Sequence, residues 1–369
     1  MSGEIEAVTV PKWGMAMEEG KVTGWLKPEG SAVRKGEEIV EVESSKITGV
    51  VESPADGVLR RQIGKVEETW MTGALIGVVA APETPDAEID AFIAQFNADF
   101  AAAGGPAAAK AEPEMIEAGG RLIRYLRMGE GEETPVVLIH GFGGDLNNWL
   151  FVQGELGAGR AVYAVDLPGH GGSSKDVADG SLSTLATAVH AAMSALGVTR
   201  AHLVGHSMGG AVALRLAVDH PETVASLTLI APAALGPEIN AGYIDGFIKE
   251  TRQRSLTAVM EQLFAAPGLV TRDMVDEILK YKRLDGAQAA LRTIAAAQFD
   301  AGRQSADLRA AANAPGTLVI WGRDDRIIPA AHADGLTGAR VELFEATGHM
   351  PHLEKPAEVA RLIRSHIGA

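Results

Sequence analysis

The sequence predicts a multi-domain protein in which a small all-β flattened barrel precedes an α/β domain with a mostly parallel sheet. Residues 1–80 contain short, alternating strand-like runs broken by Gly and Pro, which is typical of a small sandwich or barrel. Residues 81–113 are dominated by Ala, Pro, Glu and Asp. From residue 114 onward, apolar runs alternate with longer helical stretches, as expected for a buried parallel sheet covered by helices.

Composition and charge narrow the class of protein before any motif is considered. The chain has 369 residues, of which 46% are hydrophobic and 22% charged, as in ordinary globular proteins. A formal net charge of −15 disfavours nucleic acid or an anionic membrane as a partner. The absence of cysteine excludes disulfides, thiolate zinc sites and cysteine nucleophiles. No signal-peptide pattern and no apolar stretch of about 18 residues is present, so we expect a cytoplasmic protein.

Six strands are predicted in the first domain, residues 1–80, each bounded by turn-forming residues. They are Ala7–Val10, Gly20–Trp25, Glu38–Glu43, Gly49–Glu52, Gly57–Gln62 and Ala74–Val79. The third and fourth strands form a hairpin with Lys46 at its tip. A lysine at a hairpin tip extends its amine into solvent and is open to covalent modification, although most exposed lysines are simply solvated charges.

Residues 4–80 resemble the lipoyl (biotinyl-like) domains of acyltransferase components in 2-oxo-acid-type dehydrogenase complexes. The similarity is carried by PKWGMAMEEG at 11–20, VESSK at 42–46 and SPADG at 53–57. The resemblance implies that Lys46 carries covalent lipoic acid. Ser45 and Ile47 stand where this family usually has Asp and Ala. Biotin is the alternative attachment, but biotinyl tips typically have Met on both sides of the lysine, and neither neighbour of Lys46 is Met.

Residues 81–113 are predicted to be a linker, because the ends of this stretch offer too little apolar surface to offset the entropy of ordering the chain. Within it, five apolar side chains recur at helical spacing and predict a short amphipathic helix. They are Ile89, Phe92, Ile93, Phe96 and Phe100. The helix either packs against a neighbouring domain or docks a partner subunit or a second copy of the chain.

The second domain, residues 114–369, is predicted to contain a buried sheet because its strand-like runs are apolar on both faces. The clearest runs are Pro135–His140, Ala161–Asp166, Ala201–Gly205, Val224–Ile230, Thr317–Trp321 and Val341–Phe344. Residues 236–314 form a largely helical insertion between two of these strands. We expect this insertion to cap a site, exclude water and shape an acyl pocket.

Two glycine-rich turns in this domain have the sequence that acyl-transfer chemistry requires. Residues 205–209 (GHSMG) join a predicted strand to a helix, so that Ser207 is held on a sharp turn at a helix N-terminus. Residues 140–144 (HGFGG) end an earlier strand. We expect the backbone N–H groups of Phe142 and Met208 to form an oxyanion hole.

An acid and a histidine follow later strands of the same predicted sheet. Asp325 comes shortly after the strand at 317–321, and His349 follows the last strand. The order Ser207, Asp325, His349 resembles that of the α/β-hydrolase fold family over residues 115–369. The family's G-x-x-D-x-x-x-P stretch favours Asp325 over its neighbour Asp324, which remains the alternative acid. No metal-ligand spacing is present.

The chemistry of a serine–histidine–aspartate set gives each residue a role. His349 would remove the proton of Ser207, and Asp325 would orient the imidazole and stabilise its positive charge. The remaining histidines have no comparable context and are interpreted as structural or surface residues; they include His170, His202, His206, His332 and His352. The linker at residues 81–113 would raise the concentration of a lipoyl arm, the group attached to Lys46, to roughly millimolar near Ser207.

The combination of the two domains resembles the acetyltransferase components of acetoin dehydrogenase complexes. The resemblance implies transfer of an acetyl group from acetyl-dihydrolipoyl-Lys46 to coenzyme A. It also implies as partners a thiamine-diphosphate-dependent acetoin-cleaving component, a dihydrolipoamide dehydrogenase, a lipoate-attaching enzyme and further copies of the chain in a homo-oligomer. Unlike the general acyltransferases, this sequence has no H-x-x-x-D-G motif and no recognisable peripheral-subunit-binding domain.

Two other functions fit the same residues. One is a serine esterase or thioesterase that hydrolyses an acyl ester or thioester, with the β-domain as a targeting module. The other is a non-catalytic scaffold whose Lys46 arm serves another enzyme while Ser207 is idle. A triad alone does not distinguish transfer to a thiol from transfer to water.

Overall fold

The computed structural model describes residues 5–11, 19–44, 48–102, 112–300 and 302–368. The chain divides into two compact units, residues 1–110 and 111–369. Within the described ranges, no helix is long and apolar enough to cross a membrane.

The first unit is an all-β module, as the sequence predicts. Its described strands are β1 (Glu6–Thr9), β2 (Glu19–Trp25), β3 (Ala32–Val33), β4 (Glu38–Glu43), β5 (Thr48–Glu52), β6 (Gly57–Gln62), β7 (Thr69–Met71) and β8 (Leu75–Ala80). They form two four-stranded antiparallel sheets, ordered β1-β8-β6-β3 and β5-β4-β2-β7. Aliphatic side chains from both sheets, such as Val22, Ile39 and Leu59, are fully buried in one shared core.

Two of these strands were not expected from the sequence. Strands β3 and β7 have only two and three residues. Segments this short carry no readable periodicity, and they become strands because β6 and β2 offer them backbone hydrogen-bond partners.

Helix α1 (Asp86–Ala102) follows β8 and packs on the first unit. Its Ile89 is fully buried in a cluster with Leu75 and Val78 of β8. The Arg60 guanidinium donates to the Thr84 carbonyl oxygen at 2.8 Å and to the Asp86 carboxylate at 2.8 Å, which secures the turn before the helix. The apolar face of this helix was predicted either to pack against a neighbouring domain or to dock a partner or a second copy of the chain. The contacts of Ile89 with β8 correspond to the first of these.

The second unit is built on a mixed, mostly parallel sheet, and this confirms the predicted α/β-hydrolase fold. Its strands are β9 (Glu114–Ala118), β10 (Arg121–Met128), β11 (Val136–Ile139), β12 (Val162–Val165), β13 (Ala201–His206), β14 (Val224–Ile230), β17 (Thr317–Gly322) and β18 (Arg340–Phe344). In the described part of the unit their order is β18-β17-β14-β13-β11-β12-β10-β9. The β9–β10 and β10–β12 pairs are antiparallel, and the others are parallel.

Helices cover both faces of this sheet and supply the predicted insertion. They are α2 (Leu182–Ala195), α3 (Met208–Asp219), α4 (Ala241–Lys249), α5 (Gln253–Met260), α6 (Arg272–Lys282), α7 (Ala287–Gln298), α8 (Arg309–Ala312), α9 (Pro351–Glu354) and α10 (Pro356–Ile367). Helices α4–α8 and a small hairpin of β15 (Phe299–Asp300) and β16 (Arg303–Gln304) lie between β14 and β17 and form the cap. Because the central strands are parallel, the loops at their carboxyl ends meet at one edge, where ligands bind in open α/β sheets.

Candidate active site

Ser207 occupies a strained turn between β13 and α3. Its backbone has φ 52° and ψ −118°, a left-handed conformation that a non-glycine residue adopts only where surrounding structure imposes it. The Ser207 N–H donates to the Ile230 carbonyl oxygen at 2.9 Å, and the Ser207 carbonyl accepts from Ala233 N–H at 3.0 Å. These bonds to the end of β14 hold the turn, so the serine side chain is fixed beyond the edge of the sheet.

The two glycines of the serine turn are required by close backbone packing. A Cβ at Gly205 would collide with the carbonyl oxygen of Gly209, and one at Gly209 would collide with that of Ile139. Neither glycine has a positive φ. The motif therefore reflects the lack of space around the turn, as the sequence suggests.

His349 and Asp325 are joined by a hydrogen bond of 2.7 Å between His349 Nδ1 and Asp325 Oδ2. Their side chains are buried, with exposed fractions of 2% and 0%. Asp325 Oδ2 also accepts from Trp321 Nε1 at 2.8 Å. Its other oxygen, Oδ1, accepts from the backbone N–H groups of Ile327 and Ile328 at 2.7 and 3.0 Å. A carboxylate that faces four donors is held in one orientation and can in turn hold the imidazole.

Asp324, the alternative acid, does not take part in this hydrogen-bond network. The neighbouring Asp324 is exposed, and its backbone N–H donates to the Thr347 carbonyl oxygen at 2.9 Å. Asp325, and not Asp324, is therefore the residue that contacts His349.

The two predicted oxyanion donors are Phe142 and Met208. Within the described part of the chain, neither backbone N–H donates to an acceptor. Met208 is the first residue of α3, where helix N–H groups have no partner inside the helix. The loop that contains Phe142 passes against the serine, because a Cβ built on Gly141 would lie 3.1 Å from Ser207 Cβ. Both N–H groups thus lack an acceptor among the described residues, and both belong to segments that adjoin Ser207.

His140 supports this loop, a role that we did not assign from the sequence. Its Nε2 accepts the Leu167 N–H at 3.0 Å, so the proton of the ring lies on Nδ1, which donates to the Gly141 carbonyl oxygen at 2.8 Å. Burial lowers the pKa of His140, which keeps the ring neutral. Since the Gly141 carbonyl and the Phe142 N–H share one peptide plane, this bond orients the candidate oxyanion donor.

His206 is a second supporting residue, although its sequence context predicts only a structural or surface histidine. Its Nε2 donates to the backbone carbonyl oxygen of His349 at 2.8 Å, and its ring is nearly fully buried. His170, His332 and His352 are also buried, and His202 is partly buried. The position of His206 directly before the serine is the signal that could have identified it.

Aromatic side chains from the cap lie beside the loop of residues 140–144, which contains Phe142. The Phe142 ring centroid lies 5.9 Å from that of Phe247 in α4 and 6.2 Å from that of Phe299 in β15. Phe247 packs so closely on Gly143 that a Cβ there would overlap its ring. The cap thus presents an apolar wall next to the loop of residues 140–144.

The segment predicted to carry the lipoyl group joins strands β4 and β5. Strands β4 and β5 are paired up to Glu43 and Thr48, so residues 44–47 connect two adjacent antiparallel strands. Lys46 lies outside the described residues, as does most of the 11–20 motif. A lysine amine between such strands has the chemistry to form an amide with a carboxylic acid such as lipoate. Among the residues described, no group of three or more His, Asp or Glu side chains could hold a metal ion.

Two family models match the chain, one for each unit. A model described as "Biotin-requiring enzyme" matches residues 6–79. A model described as "alpha/beta hydrolase fold" matches residues 134–356.

Known proteins are similar to the whole chain or to its second unit. The dihydrolipoyllysine-residue acetyltransferase component of the acetoin cleaving system of Pseudomonas putida is 48% identical over 357 residues, covering 96% of this chain and 96% of that protein. The protein of the same description from Cupriavidus necator is 43% identical over 371 residues, covering 100% and 99%. In fold, the second unit resembles a solved meta-cleavage product hydrolase from Pseudomonas fluorescens IP01, with a TM-score of 0.63, 24% identity and coverage of 69% of this chain and 97% of that one.

Proposed function

This chain belongs to the dihydrolipoyllysine-residue acetyltransferase components of acetoin cleaving systems, and from that premise we propose that Ser207, His349 and Asp325 carry out its acetyl transfer. The enzyme moves an acetyl group from dihydrolipoyl-lysine to coenzyme A in acetoin catabolism. The observation that carries the catalytic assignment is the buried 2.7 Å bond between His349 and Asp325. It is supported by the strained turn of Ser207, whose preceding residue, His206, donates to the backbone carbonyl oxygen of His349 at 2.8 Å.

In the first half-reaction, the Ser207 hydroxyl attacks the carbonyl carbon of the acetyl thioester. The Oγ proton passes to His349 Nε2, the ring nitrogen left available because Nδ1 donates to Asp325. A bond forms between Oγ and the carbonyl carbon, and the carbon–sulfur bond then breaks. His349 returns its proton to the departing sulfur, so that acetyl-Ser207 and a free thiol result.

In the second half-reaction, coenzyme A is the acceptor. His349 removes the proton of its thiol, and the sulfur attacks the acetyl carbon. The bond between that carbon and Ser207 Oγ breaks, and His349 gives its proton to the serine. Acetyl-CoA leaves and the triad is restored.

The Phe142 and Met208 N–H groups would stabilise both tetrahedral intermediates. Each intermediate places negative charge on the former carbonyl oxygen, and two preorganised donors that have no acceptor among the described residues suit that charge. Loss of one such donor typically costs about 10²–10³ in kcat.

Lys46 is the position that we propose for the covalent lipoyl group, whose thiol carries the acetyl group between components of the system. The paired ends of β4 and β5 at Glu43 and Thr48 fit this assignment, because they bring the flanks of the lysine together at one end of the unit. The match of residues 6–79 to a lipoyl-type family supports it.

Water competes with coenzyme A for acetyl-Ser207. The apolar wall of Phe142, Phe247 and Phe299 favours transfer over hydrolysis, because apolar side chains offer water no hydrogen-bond partners and so help to exclude it from the site. Proteins with the same fold include hydrolases, so this point needs a direct test.

As a component of an acetoin cleaving system, the chain works with other components. For these we propose a thiamine-diphosphate-dependent component that cleaves acetoin and loads the arm, a flavin-dependent dihydrolipoamide dehydrogenase that reoxidises it, and an enzyme that attaches lipoate. We also propose that the chain forms a homo-oligomer in the cytoplasm.

The test is a product assay on the lipoylated, full-length chain. Acetyl-dihydrolipoamide is supplied with and without coenzyme A, and acetyl-CoA and free acetate are quantified. We expect acetyl-CoA that disappears in Ser207→Ala but persists in Ser194→Ala, a change at an exposed serine. Release of acetate irrespective of coenzyme A would identify a hydrolase. Full activity of the reconstituted system with folded, lipoylated Ser207→Ala would identify a scaffold with an idle serine.

Lys46→Arg separates the role of the arm from that of the triad. This variant should retain transfer from free acetyl-dihydrolipoamide, because Ser207 is intact. It should not become lipoylated, and it should fail to support acetyl-CoA formation from acetoin in the reconstituted system. Lipoylation of Lys46→Arg, detected by intact mass, would show that another lysine carries the group.

A further inference from the structure

Glu354 ends helix α9 and lies five residues after His349. Its carboxylate is half-buried and bridges two parts of the second unit. Oε1 accepts the Gly348 N–H at 2.7 Å, and Oε2 accepts the Ala265 N–H at 3.0 Å. One side chain therefore joins the loop before the catalytic histidine to the cap.

The same two segments also meet through their backbones. The His349 N–H donates to the carbonyl oxygen of Leu263 at 2.8 Å. A Cβ on Gly348 would lie 2.7 Å from both the Ala265 nitrogen and the Leu263 oxygen. The cap segment 263–265 thus runs directly along the loop that carries His349, and a side chain at position 348 would force them apart.

The backbone of His349 is held from both sides by these contacts. The His349 N–H donates to the Leu263 carbonyl oxygen, and the N–H of the preceding residue, Gly348, donates to the Glu354 carboxylate. The His349 carbonyl oxygen accepts from His206 Nε2 at 2.8 Å. The side chain is held at Nδ1 by Asp325. Of these contacts, the Glu354 bridge is the one in which a single ionisable side chain reaches both the histidine loop and the cap.

We propose that Glu354 is a positioning residue for acetyl transfer, because its carboxylate fixes the His349 loop against the cap segment 263–265. The placement of the general base then depends on the placement of the cap over the site. This inference rests on the proposed role of His349 as the base.

A carboxylate suits this bridge better than an amide does. Both of its contacts are with N–H donors, and a carboxylate accepts at each oxygen, whereas a glutamine presents an NH₂ group to one of the two. Glu354→Gln keeps the size of the side chain but must release either Gly348 or Ala265. A displacement of about 1 Å in a catalytic group can cost about 10²-fold in rate.

The experiment compares Glu354→Gln with Glu358→Gln, which changes an exposed carboxylate one turn further along the chain. Three quantities are measured on the lipoylated full-length protein. They are kcat and KM for acetyl-CoA formation, the ¹H NMR signal of the His349 Nδ1 proton bonded to Asp325, and Tm.

We expect Glu354→Gln to lower kcat by about 10–10²-fold with little change in the KM for coenzyme A, and to broaden or shift the His349 proton signal. Glu358→Gln should match the unchanged protein. Glu354→Asp, which keeps two acceptor oxygens on a shorter side chain, should recover part of the lost kcat. This variant also serves if the glutamine variant does not fold.

Equal kcat and an equal His349 signal in Glu354→Gln and Glu358→Gln would overturn the inference, as would a lower Tm with unchanged kcat. The NMR signal reports the geometry of His349 whether or not the acceptor is coenzyme A. If the unchanged protein releases acetate instead of acetyl-CoA, the proposed function fails, and the positioning role is still decided from the acetate rate and the NMR signal.

Discussion

Replacement of Asp325 by asparagine perturbs the centre of the candidate triad with almost no change in volume. In the structure, the carboxylate accepts four N–H groups at distances of 2.7–3.0 Å. An asparagine side chain can accept only at its single oxygen. Two of the four donors must therefore face an NH₂ group.

The direction in which the amide turns decides the effect on catalysis. If its oxygen faces the two backbone donors of Ile327 and Ile328, the NH₂ group faces Trp321 Nε1 and His349 Nδ1. His349 must then accept at Nδ1 and carry its proton on Nε2, where it cannot take the proton of Ser207. Trp321 keeps a weaker partner, the Ile328 carbonyl oxygen at 3.3 Å, so the protein should still fold.

The expected loss is large. The same substitution in serine-protease triads lowers kcat by about 10⁴, which corresponds to about 5.4 kcal/mol of transition-state stabilisation. The unpaired donors should cost about 1–3 kcal/mol of folding free energy. We therefore expect acetyl-CoA formation by Asp325→Asn to fall about 10⁴-fold while the protein remains folded.

Asp324→Asn is the matched control, because this neighbouring carboxylate is exposed and does not contact His349. It should change kcat by less than about twofold, as is usual for surface substitutions. Initial rates of acetyl-CoA formation from free acetyl-dihydrolipoamide measure both variants, and circular dichroism checks their folding. A folded Asp325→Asn variant that keeps more than a tenth of kcat, or a larger loss in Asp324→Asn, would refute the reasoning.

Three further predictions concern stability and the linker helix. Burial lowers the pKa of His352 to about 3, so between pH 6.5 and 3 the unfolded chain binds a proton that the folded chain does not. This difference lowers the free energy of unfolding by ~2 kcal/mol as the pH falls from 7 to 5. His352→Phe should abolish this loss, measured by urea unfolding at both pH values. An unchanged pH slope would contradict this. Gly209→Ala, whose Cβ would strike a carbonyl of β11, should abolish activity and lower Tm, whereas Gly154→Ala, with open space around it, should not. Arg60→Ala should speed amide hydrogen exchange in α1 with β1–β8 unaffected. Equal exchange in both proteins would show that the Arg60 hydrogen bonds to Thr84 and Asp86 do not hold α1 in place.

The sequence predicted the strands that carry strong apolar patterns and missed those that depend on a partner. In the second unit, β11 and β13 are apolar on both faces and were predicted to within about two residues. Strand β9 (Glu114–Ala118) was not predicted, because its five residues include two glutamates and have no alternating apolar pattern. It forms a strand by pairing with β10 at the edge of the sheet. Edge strands of this kind carry little hydrophobic signal.

In the candidate site, local sequence motifs identified those residues whose type is required by the backbone of a tight turn. Gly205 and Gly209 have no room for a side chain, so the serine turn can be recognised from residues adjacent in sequence. His140 and Glu354 could not be given roles in the same way. Their partners at Leu167 and Ala265 are 27 and 89 residues away, and nothing in the local pattern specifies such contacts.

The sequence by itself determined the two-unit organisation, the α/β-hydrolase class of the second unit and the residue types for acyl transfer, because periodicity and tight turns are local properties of the chain. The tertiary structure alone decided which aspartate contacts His349, which N–H groups near Ser207 lack an acceptor in the described part of the chain, and what holds the histidine loop against the cap. Those features depend on the parallel strands, which bring residues from distant parts of the chain to the same edge of one sheet.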